Sequence, residues 1–484
     1  MDFYIKLTGH DKIYPLENIV KSVFRNAELY FSEEKDNKII SELTDNKVLT
    51  TIILDGKTYY GECSFDSGHP LLKKIESVLK LSFINAAEQI TKINLPWGIL
   101  TGIRPSKMVC DLRKENYSDE YIRKIFKEDL KVSESKTELM FQAAEYEEAT
   151  AKNTKSTDIS VYIGIPFCPS RCAYCSFISK TYKNDSIIND YLDALIKEIE
   201  TVSEILKNKA LNVKTIYVGG GTPTTLNAVQ LEKMLFHINS KLDLSHLEEF
   251  TVECGRPDTI TEEKLSVLSK YKVDRISINP QTLNNDTLKA IGRSHSVEDF
   301  FTAYNSAKKF GFKAINTDLI AGLPGESLED FKFTLDKITE LSPENITVHT
   351  LSVKRAAKMI DSKFDIITEK TEADKMLDYA NTKLKDNNYE PYYLYRQKNT
   401  LNNLENTGYT KKGSACAYNI IIMQEIGSII SLGGGGVNKI IFPKTNEIKR
   451  LRNPKDGDEY IKNIENIIKK KYDFFEQAGE IFDN

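Results

Sequence analysis

The sequence lacks several features that would place it in a special class at once. It has no run of about eighteen uninterrupted apolar residues, so no membrane-spanning helix is expected. Its N-terminus, Met-Asp-Phe-Tyr-Ile-Lys, has no basic region followed by an apolar stretch, which argues against a secretory signal peptide. Low-complexity tracts and solenoid repeats are absent as well. An ordinary globular protein is therefore expected.

No sign of charge dominates, and cysteine is scarce. Lys plus Arg number 66 and Asp plus Glu number 70, so the net charge of −4 gives no electrostatic footprint for nucleic acid. Cysteines number 7, of which three share one short loop. The other four lie far apart, at Cys63, Cys110, Cys254 and Cys416. This usage is typical of a reducing compartment and not of a disulfide framework, so we expect a cytoplasmic protein.

The three neighbouring cysteines form the most informative pattern in the chain. An apolar run, Ile159–Ile165, predicts a buried strand that ends at Pro166. Cys168, Cys172 and Cys175 follow with the spacing C-x3-C-x2-C. Thiolates crowded in this way suit a soft metal centre such as an iron–sulfur cluster, zinc or copper. Three ligands leave one iron of a four-iron cluster open, whereas a zinc site completed by a distant Cys or His is the alternative.

Strands and helices alternate from residue 159 to about 390, which predicts βα units and a parallel sheet. The predicted strands are Ile159–Ile165, Thr215–Val218, Phe250–Glu253, Arg275–Ile278, Ala314–Ile320 and Ile346–Leu351. The predicted helices cover 187–207, 228–242, 261–271, 284–291, 297–310 and 328–341. Six such units suit an α/β fold built as an open, partial (β/α)6 barrel. Functional groups should then follow the carboxyl ends of the strands.

The remaining chain predicts three further parts. Residues 1–95 read as a small α+β domain with a hairpin at Asp55-Gly56, and 96–156 as a helical connector. The barrel then covers 157–390, and a C-terminal α+β extension covers 391–484. Four consecutive glycines, 433–436, lie in that extension. A lid over the barrel mouth is one interpretation of this segment, and a loose turn is the other.

Polar groups interrupt the apolar pattern where the predicted strands end. Gly219-Gly220-Gly221-Thr222 follows the second strand and would let the backbone approach a carboxylate, although a plain turn is the alternative. Glu253 ends the third strand and needs a partner, either a ligand or an ion pair with Arg256. Asp318 is a charge within the apolar fifth strand. Two histidines nearby, His295 and His349, are interpreted as structural.

These motifs, in this order, resemble the radical S-adenosylmethionine (SAM) enzymes, and among them the oxygen-independent coproporphyrinogen III oxidases. The segments are Tyr-Ile-Gly-Ile-Pro-Phe-Cys, Gly-Gly-Gly-Thr-Pro-Thr, Thr-Val-Glu, Ile-Gly-Arg-Ser-His and Asp-Leu-Ile-Ala-Gly-Leu-Pro-Gly. Pro-Trp-Gly-Ile-Leu-Thr-Gly-Ile-Arg-Pro at 96–105, the run 391–398 and the run 403–409 are similar to one branch, the HemZ-like coproporphyrinogen dehydrogenases. Only residues 1 to about 90 carry no such motif.

The resemblance implies a radical SAM barrel whose Cys168, Cys172 and Cys175 hold a [4Fe–4S] cluster, with SAM on the open iron. It implies SAM contacts from Tyr162, Tyr174, Gly220, Gly221, Thr222, Glu253, Gln281, Arg293 and Asp318, and weaker ones from Ser352 and Val437. The implied reaction, in heme biosynthesis, converts two propionates of coproporphyrinogen III to vinyl groups, giving protoporphyrinogen IX. An electron donor such as flavodoxin or ferredoxin is also implied.

Two observations leave questions open at this point. A four-propionate substrate needs cationic partners, for which Arg104, Lys107, Arg396 and Lys398 are candidates, with solvated surface as the alternative. In addition, Phe177 stands where the resembled oxidases have a fourth cysteine. Related heme chaperones share the aromatic residue; by resemblance they bind heme and a cluster but do not decarboxylate. The oxidase and the chaperone functions therefore both remain candidates.

Overall fold

The computed structural model describes residues 1–24, 27–93, 95–102, 104–175, 181, 185–352, 372–397, 403–442, 445 and 447–476. The chain divides into two compact units, Met1–Phe141 and Gln142–Asn484. Across the described ranges, no helix has both the length and the apolar character needed to cross a membrane. The division into four domains expected from the sequence stays a prediction.

The first unit contains a five-stranded sheet with the order β2-β1-β3-β4-β5. Its strands are β1 (Asp2–Thr8), β2 (Glu28–Tyr30), β3 (Lys38–Leu43), β4 (Lys47–Leu54) and β5 (Lys57–Ser64). Its helices are α1 (Ile13–Val23), α2 (Ile75–Ala87), α3 (Pro105–Lys114) and α4 (Asp119–Lys124). The predicted hairpin is confirmed, since Leu54 pairs with Lys57 around Asp55-Gly56, both at positive φ. Alternate residues of β4 are buried, so one face of the sheet packs on the core.

The second unit is built on an eleven-stranded sheet. Its centre consists of six neighbouring parallel strands, β6 (Asp158–Ile165), β7 (Asn212–Gly220), β8 (Glu249–Glu253), β9 (Arg275–Ser277), β10 (Ala314–Ala321) and β11 (Asn345–Thr350). Helix α5 (Glu134–Lys152) precedes these strands. The helices between or after the strands are α6 (Asp185–Asn208), α7 (Ala228–Lys241), α8 (Glu262–Lys270), α9 (Asn285–Ala290), α10 (Val297–Lys308), α11 (Leu328–Leu341) and α12 (Ala373–Asp386). The predicted α/β class and partial (β/α)6 barrel are confirmed.

The C-terminal segment extends both edges of this sheet. Strands β12 (Glu390–Arg396) and β13 (Glu405–Thr410) continue it antiparallel from β11, and β14 (Ser428–Gly433) lies parallel to β6. Strands β15 (Val437–Ile441) and β16 (Ile448–Arg452) complete that second edge. Three helices accompany them, α13 (Ala417–Gln424), α14 (Gly457–Lys462) and α15 (Ile464–Glu476). The strands of this C-terminal segment pair with the central sheet, whereas the lid interpretation predicts no such pairing.

Alternation along β6 explains how the fold positions a site. Ile159, Val161, Ile163 and Ile165 are fully buried in the apolar core. Side chains of a strand point to opposite faces in turn, so Tyr162 lies on the other face. There its ring stacks on those of Tyr217 and Tyr418, each at a centroid distance of 6.3 Å. A tyrosine layer therefore lines the face opposite to the apolar core.

Candidate functional site

The loop of the three cysteines lies directly against the glycine-rich segment. Two backbone bonds join them, from Gly221 N to the Ile165 carbonyl oxygen and from Thr222 N to the Phe167 carbonyl oxygen, both 2.7 Å long. Cys168 Sγ lies 3.4 Å from the Thr222 hydroxyl. A Cβ at Gly221 would come within 3.0 Å of that sulfur. Glycine is thus required here by close approach to the cysteine loop, which favours the functional interpretation over a plain turn.

A second loop holds the cysteine loop from the other side. The Ala173 amide donates to the Ile291 carbonyl oxygen at 2.9 Å, and the Ser170 hydroxyl donates to the Gly292 carbonyl oxygen at 3.3 Å. Gly292 has a φ of +74°, and an added Cβ would lie 3.2 Å from the Arg171 carbonyl oxygen. The Ile-Gly-Arg-Ser-His motif therefore positions the cysteine loop.

Arg256 forms a third attachment of the same loop. Its guanidinium donates two bonds to Asp258, at 3.0 and 3.1 Å, and one of 2.9 Å to the Ser170 hydroxyl. One guanidinium nitrogen also lies 3.7 Å from Cys172 Sγ. The alternative interpretation in which Arg256 is the ion-pair partner of Glu253 is wrong, because its carboxylate partner is Asp258.

Glu253 ends β8 as a half-buried carboxyl group. It accepts a hydrogen bond of 2.6 Å from the Tyr217 hydroxyl. A Cβ at Gly219 would lie 2.9 Å from its carboxyl carbon, so this glycine makes room for it. Burial raises the pKa of Glu253 to about 7, and the charge of Asp318 adds to the rise. Near neutral pH the group can therefore accept or donate a hydrogen bond.

Asp318 is the second half-buried carboxyl group of the site, and its surroundings shift its pKa in the opposite direction. Its oxygens accept bonds of 2.7 Å each from the side-chain amides of Asn279 and Asn316. His349 Nε2 lies 3.8 Å from the same carboxylate. Burial alone would raise the pKa of Asp318, but the interactions with His349 and Asn316 outweigh it and hold this pKa below its ordinary value. Asp318 is thus an ionised acceptor at neutral pH.

Three buried polar side chains at these strand ends have atoms without partners among the described residues. They are Gln281 (Oε1), Arg293 (Nε) and His295 (both ring nitrogens). Gln281 also adopts a left-handed backbone with φ of +67°, uncommon for a residue with a side chain. Burial lowers the pKa of His295 to about 4. Buried polar groups are nearly always paired, so these atoms are available to a bound ligand.

A cavity of about 240 Å³ opens beside these groups. Five of the residues expected to contact cofactors line it, namely Tyr174, Cys175, Gln281, Asp318 and Ser352. Residues beyond the expectation also line it, among them His349, Tyr395 and Asn406. Of the expected set, Val437 lies at the start of β15 and is absent from the described lining of this cavity. Asn406 lies on strand β13, and no local sequence signal connects that strand with the site.

The remaining candidates divide by position. Arg396 is buried and donates to the Asn403 carbonyl oxygen at 2.7 and 2.9 Å, which gives it a structural role. Arg104 and Lys107 belong to the first unit. Phe177 and Lys398 lie outside the described residues.

The donor set fits a four-iron cluster better than a single metal ion. In the described ranges, no three His, Cys, Asp or Glu side chains gather closely enough to hold one ion, as tetrahedral zinc would require. In a four-iron cluster each cysteine binds a different iron, so the sulfurs need not converge on one point. The close approach of the Gly221 backbone to Cys168 and the unpaired atoms of Gln281 and Arg293 fit a cluster with a polar ligand next to it.

Comparisons with known proteins agree with this geometry. Residues 162–338 match the model of the radical SAM superfamily. The oxygen-independent coproporphyrinogen-III oxidase-like protein HemZ of Bacillus subtilis is 38% identical over 98% of this chain and 98% of its own. The heme chaperone HemW of the same organism is 40% identical over 40% of this chain and 51% of its own.

Among solved structures, the coproporphyrinogen III oxidase HemN of Escherichia coli aligns with a TM-score of 0.52. The match covers 67% of this chain and 72% of that one at 22% identity, and therefore speaks to the fold. Radical SAM proteins use a [4Fe–4S] cluster and SAM, which are the two cofactors that the resemblance implied. The chain therefore belongs to the radical SAM superfamily and, within it, to the oxygen-independent coproporphyrinogen-III oxidase-like proteins.

Proposed function

We propose that the protein oxidatively decarboxylates two propionate side chains of coproporphyrinogen III to vinyl groups, giving protoporphyrinogen IX. The observation that carries this proposal is the end-to-end similarity to the HemZ protein, which covers 98% of both chains. The cavity at the strand ends supports it, because Cys175 of the cysteine loop lines the same space as Gln281 and Asp318. A reacting carbon placed there would be close to the cofactors.

The chemistry of each propionate is balanced in simple terms. The side chain loses one hydrogen atom from its β-carbon, then carbon dioxide and one electron, and the vinyl group remains. When bound, the cluster and SAM supply the 5′-deoxyadenosyl radical that takes the hydrogen atom. The electron passes to an acceptor outside this chain, and a protein such as flavodoxin or ferredoxin in the cytoplasm would supply the reducing electron.

In this proposal the chain's own residues bind SAM and orient it. Ionised Asp318, fixed by two asparagine amides, accepts hydrogen bonds from hydroxyl or ammonium groups of a bound SAM. Glu253, with its pKa near 7, accepts from a ribose hydroxyl while Tyr217 keeps its carboxyl group in place. Arg293 and Gln281 offer the polar atoms that have no protein partner in the described ranges.

Anaerobic turnover tests the proposal. Reconstituted protein, reduced and supplied with SAM and coproporphyrinogen III, should form 5′-deoxyadenosine together with divinyl product. The Cys172→Ser variant should form neither, whereas Cys63→Ser, a matched change of a half-buried cysteine in the first unit, should retain both. Formation of 5′-deoxyadenosine without any vinyl product would overturn the assignment of the substrate.

A heme-binding function without decarboxylation is the second candidate. It is favoured by the 40% identity to the B. subtilis heme chaperone over 196 residues and by Phe177 in place of a fourth cysteine. Assays of the same reconstituted protein distinguish the decarboxylase from the heme-binding function. Stable binding of heme, with transfer to an acceptor protein and no divinyl product, would select the chaperone function.

A further inference from the structure

Arg256 is fixed more firmly than an ordinary arginine beside a loop. Its side chain is buried, with the residue only 3% exposed, and it bridges a carboxylate and the cysteine loop. On one side it forms a two-bond pair with Asp258, and on the other it reaches Ser170 and the sulfur of Cys172. A guanidinium held in this planar fork cannot turn away from the sulfur without breaking the pair.

The turn that carries Asp258 is itself supported. The Thr259 hydroxyl donates to the Arg256 carbonyl oxygen at 2.7 Å and also lies 2.7 Å from the Thr224 hydroxyl. Thr224 belongs to the glycine-rich segment whose Thr222 lies beside Cys168. The Arg256–Asp258 pair is therefore part of one connected network around the cysteine loop.

We propose that Arg256, oriented by Asp258, is a positioning residue that sets the reduction potential of the cluster through its N–H···S contact with Cys172. Hydrogen bonds to the cysteine sulfurs and nearby charge are the means by which a protein tunes an iron–sulfur cluster. One-electron reduction adds negative charge to the cluster, which a donor or a positive charge at the sulfur stabilises. Arg256 therefore raises the potential, and Asp258 moderates that effect by neutralising the guanidinium.

This arrangement predicts opposite shifts for two changes in one ion pair. Arg256→Gln removes the charge and the forked donor, so reduction becomes harder and the potential falls. Asp258→Asn leaves the guanidinium beside Cys172 without its counter-charge, so the potential rises. A purely structural pair would not produce shifts of opposite sign, because breaking it from either side would disturb the loop in the same way.

The test is an anaerobic redox titration of the reconstituted full-length protein, followed by electron paramagnetic resonance, with no substrate added. Arg256→Gln should move the one-electron reduction equilibrium at least tenfold towards the oxidised state, which is about 59 mV. Asp258→Asn should move it towards the reduced state. Arg275→Gln is the matched control, since Arg275 is equally buried but contacts Glu249, Ser414 and Asn345.

The outcomes separate cleanly. Opposite shifts with an unchanged Arg275→Gln potential support the proposal, and unchanged potentials or shifts of the same sign in both variants overturn it. If the Arg256→Gln chain assembles no cluster, the Asp258→Asn potential decides alone and must lie above that of the unaltered protein. The inference rests on the cluster that the proposed function requires, but not on the substrate, because the potential is measured without turnover.

Discussion

Two carboxyl groups of the second unit, the buried Glu198 and the half-buried Glu253, have very different surroundings. Glu198 is fully buried, and each of its oxygens accepts two hydrogen bonds. The donors are Gly433 N at 2.7 Å, Tyr460 Oη at 2.6 Å, Asn453 Nδ2 at 2.9 Å and Lys471 Nζ at 2.6 Å. We call these five residues the closed cluster. Glu253, by contrast, has one side-chain donor, Tyr217, and lies near groups that have open atoms.

The difference in hydrogen bonding between Glu198 and Glu253 distinguishes a site that stabilises the fold from a site that binds a ligand. Both carboxylate oxygens of the closed cluster are fully hydrogen-bonded, and the cluster joins α6, the end of β14, the residue after β16, α14 and α15. At the strand ends, a carboxyl with a raised pKa, a left-handed Gln281 and an unpaired Arg293 nitrogen all reduce stability. Features that reduce stability in this way are retained in proteins where a bound ligand pairs with the open polar atoms. The account therefore predicts that changes in the closed cluster alter folding, whereas changes at the strand ends alter binding.

The largest effect is expected for Lys471→Met. This change leaves Glu198 as a buried charge without its counter-ion, which costs about 3–5 kcal/mol of the free energy of unfolding. Chemical denaturation followed by circular dichroism measures it. Lys470→Met, a change of the exposed neighbour, should leave stability within about 0.5 kcal/mol. If Lys471→Met lowers the free energy of unfolding by less than about 1 kcal/mol, the closed cluster does not have the structural role that the comparison assigns to it.

Glu253→Gln should act in the opposite direction and stabilise the protein at pH 8. Because the folded pKa is raised from 4.5 to about 7, the folded state binds the proton more tightly than the unfolded state. The contribution of Glu253 is thus fully favourable below pH 4.5 and is lost as the pH rises through 7. Removing the charge should gain about 3 kcal/mol at pH 8 in the absence of ligand.

Denaturation of Glu253→Gln at several pH values checks this prediction. The gain over the unaltered protein should shrink steadily between pH 7 and 4.5 and vanish below that range. A variant less stable than the unaltered protein at pH 8 would show that Glu253 is as well satisfied as Glu198, and the distinction between the two sites would fail.

Asp318→Asn sharpens the comparison through binding. A hydrogen bond to a charged acceptor contributes about 1.5–3 kcal/mol, so SAM affinity should fall about ten- to hundredfold. Stability should fall by about 1–3 kcal/mol, since the new amide nitrogen faces the amide donor of Asn279 or Asn316, which then loses its acceptor. Equilibrium dialysis with reconstituted protein measures the affinity. Asp286→Asn, at a side chain that is 97% exposed, is the control and should change neither quantity.

Tyr217→Phe should have the smallest effect. It removes the 2.6 Å bond to Glu253, a loss of about 1 kcal/mol at pH 8. Because that bond lowers the pKa of Glu253, its removal should raise the pKa further. The pH at which the fall in stability is complete should therefore shift upwards, and a downward shift would contradict the assigned hydrogen bond.

Much of the central sheet could be predicted because its signals are local. The six parallel strands are apolar, β-branched runs, and each predicted strand overlaps an observed one. Glu253 and Asp318 stood out because a charge within an apolar strand needs a reason. The glycines before Thr222 could be placed for the same kind of reason, since backbone approach requires them.

The rest depends on partners that are distant in the chain. Lys471 lies in a run of three lysines, and nothing local distinguishes it from Lys470, yet it pairs with Glu198, which is 273 residues away. Strand β14 joins β6 across a similar separation. Such pairings follow from the tertiary fold and leave no periodic trace in the sequence.

The most direct test is the spectrum of the reduced, reconstituted protein with and without SAM. The account predicts about four iron and four sulfide ions per chain, and a paramagnetic signal that changes when SAM binds to the open iron. The change should be absent in Cys168→Ser. A chain that takes up zinc in place of iron, or a cluster whose signal is the same with and without SAM, would contradict the account.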